Sequence, residues 1–197
     1  HLLAALVLLI LLCLQVVQDQ DRGMGHPMSV GLRRGLRIGL ALLLLQSALG
    51  AWVSTNYAVL ACSDFPTCQG SWWPDMDFRQ GFALWRELGL TATGQPIDFA
   101  ALTAIHYVHR LVAYGVLTGL MVLAWQLNRH RHWRLHSRVL AALIGLQLAS
   151  GLGNVMLGWP LLGALLHTGG AAALVLALTW TLAQASTAGH VRAFTFK

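Results

Sequence analysis

The sequence predicts an all-α, polytopic membrane protein, and three observations carry that prediction. Hydrophobic residues occupy 56% of the 197 positions and charged residues only 10%, whereas an average soluble domain is roughly 25% charged. The mean hydropathy is +0.61. The apolar residues gather into near-uninterrupted Leu- and Ala-rich runs, each about as long as the ~30 Å hydrocarbon core of a bilayer is thick. A soluble domain would have to hide all of these runs, a disordered chain would lack them, and barrel strands would alternate in polarity. Neither a Gly period nor charged heptads support a collagen-like or coiled-coil reading.

Five spans follow in order. The first covers residues 1–17. His1 opens directly onto LLAALVLLILLCL, without the basic leader and small-residue cleavage site of a signal peptide. The expectation is a chain that starts at the edge of a membrane helix, with a preceding part removed. Residues 18–35 form a linker that carries Asp19, Asp21, Arg22, Arg33 and Arg34. The second span, 36–55, leads into a loop, 57–98, that holds Asp64, Asp75, Asp77, Glu87 and Asp98 against Arg79 and Arg86. After the third span, 99–127, come Arg129, Arg131, Arg134 and Arg138 with no acid among them. The fourth span covers 139–157, the fifth 161–184, and the tail 186–197 carries Arg192 and Lys197.

The net charge of +6 arises from thirteen Lys and Arg against seven Asp and Glu. Its distribution matters more than its total. Basic residues in short runs between spans mark cytoplasmic loops; a nucleic-acid surface would gather them on one soluble face, so no nucleic-acid partner is expected. The linker, the 128–138 connection and the tail are therefore expected in the cytoplasm of a bacterial inner membrane. The acidic 57–98 loop faces the periplasm.

That loop is too long to be a passive connector between packed helices. It contains CSDFPTC (62–68), then Trp72, Trp73 and Pro74, then Phe78, Phe82 and Trp85. Tyr57, Trp72, Trp73 and Trp85 have the character of an interfacial aromatic layer. Cys62 and Cys68 on an oxidising side are chemically free to form a short bridge, and two separate thiols are the alternative. Cys13 lies inside the first apolar run.

Of nine histidines, His130, His132 and His136 accompany a basic run and are expected to be solvated or to face lipid headgroups. His26 and His190 fall in loop and tail. His1, His106, His109 and His167 lie within or at the margin of apolar spans, where an imidazole needs a partner and is a functional candidate by default. His109 and His167 sit on spans running in the same direction, within roughly 6 Å of the same depth at 1.5 Å rise per residue. Two neutral imidazoles on facing helices are the axial pair expected of a six-coordinate haem iron. Gly115, Gly119, Gly145, Gly151, Gly153, Gly169 and Gly170 leave room either for close helix packing or for a macrocycle. His106, three residues before His109, is a candidate to contact a haem propionate, orient the loop or substitute as ligand. Arg110 either snorkels, bonds a helix carbonyl or pairs with a propionate. Zinc fits poorly, because the spans hold no carboxylate and the loop cysteines lack further ligands.

The stretch LQSALGAWVSTNYAVLACSDFPTCQGSWWPDMDF (45–78), with AIHYVHRLVA (104–113) and QLASGLGNVMLGWPLLGALLHTGGAA (147–172), resembles the haem A synthase family (Cox15/CtaA) over nearly the whole chain. The CSDFPTCQGSWWP element is its most specific part. The family has eight transmembrane helices in two related four-helix halves. The resemblance implies that residues 36–185 form the second half, which holds haem b. It also implies that residues 1–17 match the last helix of an otherwise absent N-terminal half. Carried over, His109 and His167 match the axial ligands, His1 matches a ligand-position histidine on the substrate-haem side, and Cys62 and Cys68 match a disulfide pair.

The implied reaction is oxidation of a methyl group of haem O to the formyl group of haem A, for terminal oxidase assembly. Its substrate-activating groups belong to the first half, so the stretch by itself is expected to bind haem b without producing haem A. The implied partners are membrane lipid, the first half of the protein, haem O and the farnesyltransferase that makes haem O. Two rivals remain at this stage: a bis-histidine membrane cytochrome serving only electron transfer, and a haem-free structural membrane subunit.

Overall fold

The computed structural model describes residues 1–20, 25–91 and 93–187. Asp21 and Arg22 of the linker, and His190, Arg192 and Lys197 of the tail, on which part of the charge reading rests, lie outside the described residues. Among the described residues, five helices are long and apolar enough to cross a membrane. In chain order the elements are α1 (Leu2–Gln20), β1 (His26–Met28), α2 (Val30–Thr55), α3 (Phe78–Gly81), α4 (Phe99–Asn128), α5 (Arg134–Met156), α6 (Leu161–Gln184) and β2 (Ala185–Thr187). The fold is that of an all-α polytopic membrane protein.

The apolar runs became helices as expected, but two helices start earlier than hydropathy indicates. Helix α2 begins at Val30 and not at residue 36, because Arg33, Arg34 and Arg37 are good helix formers despite their polarity. Ser29 also caps it, its hydroxyl accepting from the Leu32 N–H at 3.3 Å. Helix α5 begins at Arg134 for the same reason, after a single 3₁₀ turn over Arg131–Trp133. Helix α4, with 30 residues, is about 45 Å long at 1.5 Å per residue and outruns a hydrocarbon core. Between α5 and α6, Gly158 (φ 64°) and Trp159 (φ 62°) adopt the left-handed conformation. The Trp159 N–H closes the turn on the Asn154 carbonyl at 2.8 Å, and Pro160 immediately precedes α6.

The sequence held no sign of a strand, yet β1 and β2 pair in parallel, His26 opposite Ala185 and Met28 opposite Thr187. His26 precedes a proline, which favours extended backbone, and β2 begins where α6 ends, so three residues on each segment satisfy one another's backbone groups.

Two compact units divide the chain. The first comprises, among the described residues, 1–20, 25–44, 116–146 and 169–187. Its interior is built from Leu36, Leu120, Leu127, Trp133, Leu140, Leu174, Val175 and Leu178, all under 2% or at 2% exposed. Helices α2 and α4 approach closely there: a Cβ at Gly35 would lie 2.8 Å from Leu123 Cδ2, and one at Gly39 3.0 Å from Leu123 Cδ1. Of the histidines of the basic run, His130 and His132 are exposed as expected, whereas His136 is half-buried. His132 stacks on His26 with ring centroids 3.4 Å apart, and His136 flanks the buried Trp133 while sharing a hydrogen bond with Gln184 at 3.1 Å. Trp133 draws these rings together because its large apolar face needs cover.

The second unit comprises residues 45–115 and 147–168. Val53, Ala58, Ile97, Ala101 and Ile105 form its apolar centre, with Trp52, Val59 and Leu102 packed against it. The 57–98 loop is tied down along its length. Trp52 Nε1 donates to the Gly81 carbonyl at 3.0 Å, and Arg86 lies over the Trp52 ring while donating to the Leu90 carbonyl at 3.0 Å. Buried Asn56 accepts from the Gly89 N–H at 3.3 Å and donates to the Trp52 carbonyl at 2.9 Å. Asp77 caps α3 through the Gln80 N–H, and Gln80 in turn donates to Asp98 just before α4. Tyr57, Trp72, Trp73 and Trp85 are all strongly exposed, as amphipathic rings at a membrane interface would be.

Candidate functional site

Cys62 and Cys68 form a disulfide, with Cα atoms 4.7 Å apart. The bridge closes a turn organised around Asp64. Its carboxylate accepts from the Gln69 N–H at 2.6 Å, from the Gly70 N–H at 3.0 Å and from the Thr67 hydroxyl. The Thr67 hydroxyl first, and then the Gly70 and Gln69 amides, hold the Asp64 carboxyl below the usual carboxylate range. Gln69 and Gly70 supply the positive φ values, 56° and 71°, that aim those amides inward. Gln69 then fastens the turn to α4, donating to the Ala61 carbonyl at 2.9 Å and to Thr103 Oγ1 at 2.7 Å.

Helix α4 delivers His106, His109 and Arg110 beneath this turn. His106, 6% exposed, donates from Nδ1 to the Ala58 carbonyl at 3.0 Å, so it tethers the loop. Arg110, 8% exposed, does not snorkel. Its Nη2 donates to the Asp64 carbonyl at 3.0 Å, and its guanidinium lies 5.5 Å from the Phe65 ring centroid. Its Nη1 is buried with no partner among the described residues, a costly state for a charged donor. Tyr107 points its hydroxyl to the Trp72 carbonyl and its ring edge to Trp73.

The same unit holds His109 and His167, each seated on a neighbouring helix. Gln46 of α2 donates to the His109 carbonyl at 3.0 Å, and its carboxamide lies 3.0 Å from His109 Nδ1. A Cβ at Gly50, one turn on, would lie 3.2 Å from His109 Cε1. Gln147 of α5 likewise donates to the His167 carbonyl at 3.0 Å, and a Cβ at Gly151 would lie 3.1 Å from His167 Cε1. Ser150 Oγ lies 3.1 Å from His167 Nδ1. A hydroxyl there can accept the Nδ1 proton and leave the Nε2 lone pair for a metal.

Sequence reasoning had singled out His106, His109, His167, Arg110, Cys62 and Cys68, and the structure brings all six into this unit. His1 is exposed and belongs to the other unit. The glycines that contact a histidine are Gly50 and Gly151, while a Cβ at Gly115, Gly119, Gly145, Gly153 or Gly169 would meet nothing within 4 Å. Gln46, Gln147 and Ser150 went unremarked, although QSALG (46–50) and QLASG (147–151) share the pattern Q-x-A-x-G. Among the described residues, no group of three or more His, Cys, Asp or Glu side chains could hold a metal ion.

Fold and site together define a polytopic membrane protein with two helix-borne histidines and a disulfide-closed loop in one compact unit. The family model described as COX15-CtaA, cytochrome oxidase assembly protein, matches residues 1–179. The chain belongs to that family. Among curated relatives, the "Heme A synthase" of Shewanella oneidensis is 34% identical over 141 residues, 72% of this chain and 43% of the relative. That of Caulobacter vibrioides is 31% identical over 144 residues, 71% of this chain and 38% of the relative. That of Halalkalibacterium halodurans is 30% identical over 122 residues, 60% of this chain and 33% of the relative. The chain thus matches less than half the length of these relatives. No solved structure matches it significantly.

Proposed function

We propose that this chain is the haem b-holding part of a haem A synthase, with His109 and His167 as the two axial ligands of the iron. The observation that carries the reading is the shared seat of the two histidines: each lies edge-on to a glycine of a neighbouring helix, with a carboxamide on its backbone carbonyl. The residues fit a haem. A pair of imidazoles is a donor set that haem iron accepts, whereas a structural zinc takes four protein ligands. The orphaned Nη1 of Arg110 supplies a buried cationic donor suited to a propionate. His106 and the disulfide-closed turn hold that arginine's surroundings in place.

When bound, the haem supplies one-electron chemistry. The protein's own part is to present neutral imidazoles, orient them and exclude water with the tied-down loop. In the whole enzyme this serves oxidation of the haem O methyl group to the formyl group of haem A. His1 then belongs to the substrate-haem side, and the farnesyltransferase that makes haem O is the expected supplier. The charge pattern supports a periplasmic 57–98 loop and cytoplasmic basic connections. Haem extraction from the purified protein, followed by chromatography, tests the reading. Haem b with a low-spin absorption spectrum is expected, and protein that binds no haem under any loading condition overturns it.

A further inference from the structure

The two histidine seats are one device used twice. In α2, Gln46 reaches the His109 carbonyl on α4 at 3.0 Å, and Gly50 leaves its ring 3.2 Å of clearance from a Cβ. In α5, Gln147 reaches the His167 carbonyl on α6 at 3.0 Å, and Gly151 leaves 3.1 Å. The spacing is identical, four residues from glutamine to glycine, so both groups lie on the same helix face one turn apart. The Cε1 carbon is the nearest ring atom in both cases, so the two imidazoles meet their glycines by the same edge.

A backbone carbonyl inside a helix already accepts from four residues on. A second donor on that carbonyl fixes the rotation and height of the histidine-bearing helix against its neighbour, and the glycine then limits how far the ring turns. Rings held from two sides keep a fixed plane. The seats differ at one point: Ser150 serves His167 Nδ1, while the Gln46 carboxamide itself lies against His109 Nδ1. Gln46 Oε1 is buried without a partner among the described residues. The same Gln46 Nε2 makes both contacts, lying 3.0 Å from the His109 carbonyl and 3.0 and 3.4 Å from the two ring nitrogens, so one carboxamide holds backbone and ring together.

Resting on the bis-histidine reading above, we propose that Gln46 with Gly50, and Gln147 with Gly151, are positioning residues that set the ring planes of the two ligand imidazoles. The test is electron paramagnetic resonance of the oxidised, haem-loaded full-length protein, whose largest g value in a low-spin bis-imidazole haem follows the angle between ring planes. Gln46→Leu, Gln147→Leu, Gly50→Ala and Gly151→Ala are expected to retain haem, move that g value and shift the haem midpoint potential. Gln46→Glu, which cannot donate to the His109 carbonyl, is expected to move the g value in the same way as Gln46→Leu. If a leucine variant fails to assemble, the alanine at the same seat carries the test, since it changes the ring's clearance by one methyl. Low-spin haem with an unmoved g value and potential in the assembled variants overturns the positioning role. Low-spin haem surviving in His109→Ala and His167→Ala overturns the ligand reading instead.

Discussion

Replacing Cys62 and Cys68 by serine removes a short cross-link whose energetic weight follows from its span. The bridge joins residues six apart, so the chain-entropy relation for a loop of that size gives about 2 kcal/mol at 25 °C. The loss is limited because other bonds hold the turn. Asp64 still accepts from Gln69, Gly70 and Thr67, and Arg110 still donates to the Asp64 carbonyl. That last bond ties the two features together: the bridge positions the carbonyl that Arg110 uses. Arg110→Lys, which loses the planar fork and its reach, should therefore couple to the cysteine change by about 0.5–3 kcal/mol in a double-mutant cycle. The assay is reversible unfolding in mixed micelles for the parent, each variant and the combination. A double variant whose loss equals the sum of the singles would refute the idea that bridge and arginine act on one carbonyl.

Three further outcomes are expected. The Asp64 carboxyl titrates below its ordinary value of 3.8, so its contribution is full above that pH and disappears as pH falls through the depressed value; Trp72 and Trp73 fluorescence should report loosening of the turn in acid, and Asp64→Asn should abolish that dependence. Gly81→Ala would bring a Cβ to 2.8 Å from the Ala101 carbonyl oxygen, a backbone atom that cannot swing aside, and should cost about 1–3 kcal/mol in the same unfolding assay. Asn56→Ala leaves the Gly89 amide without its acceptor and should cost about 1–3 kcal/mol, with proteolysis in the 57–98 loop accelerating accordingly.

The helices were legible because a membrane span declares itself through unbroken apolar length. Helix starts were less so: the arginines before residue 36 and residue 139 read as loop by hydropathy but belong to α2 and α5. The pairing of His26–Met28 with Ala185–Thr187 depends on chain ends meeting, which no local pattern encodes. Histidines stood out through the cost of burying them. Gln46 and Gln147 carry the same cost but no metal chemistry, so only the repeat Q-x-A-x-G marked them. Small-residue spacing likewise identified glycines without saying which face they served. Gly115 and Gly119 stand beside open space, whereas Gly50 and Gly151 meet the histidines.

The proposed ligation of one iron by His109 and His167 has a direct spectroscopic test. Near-infrared magnetic circular dichroism of the oxidised, haem-loaded protein reads axial ligation directly. A bis-imidazole charge-transfer band is expected in the parent, replaced in His109→Ala and in His167→Ala by a high-spin signal, with imidazole added to solution restoring the original band. A parent spectrum with a ligand other than two imidazoles, or a bis-imidazole band unchanged in both variants, would contradict that ligation.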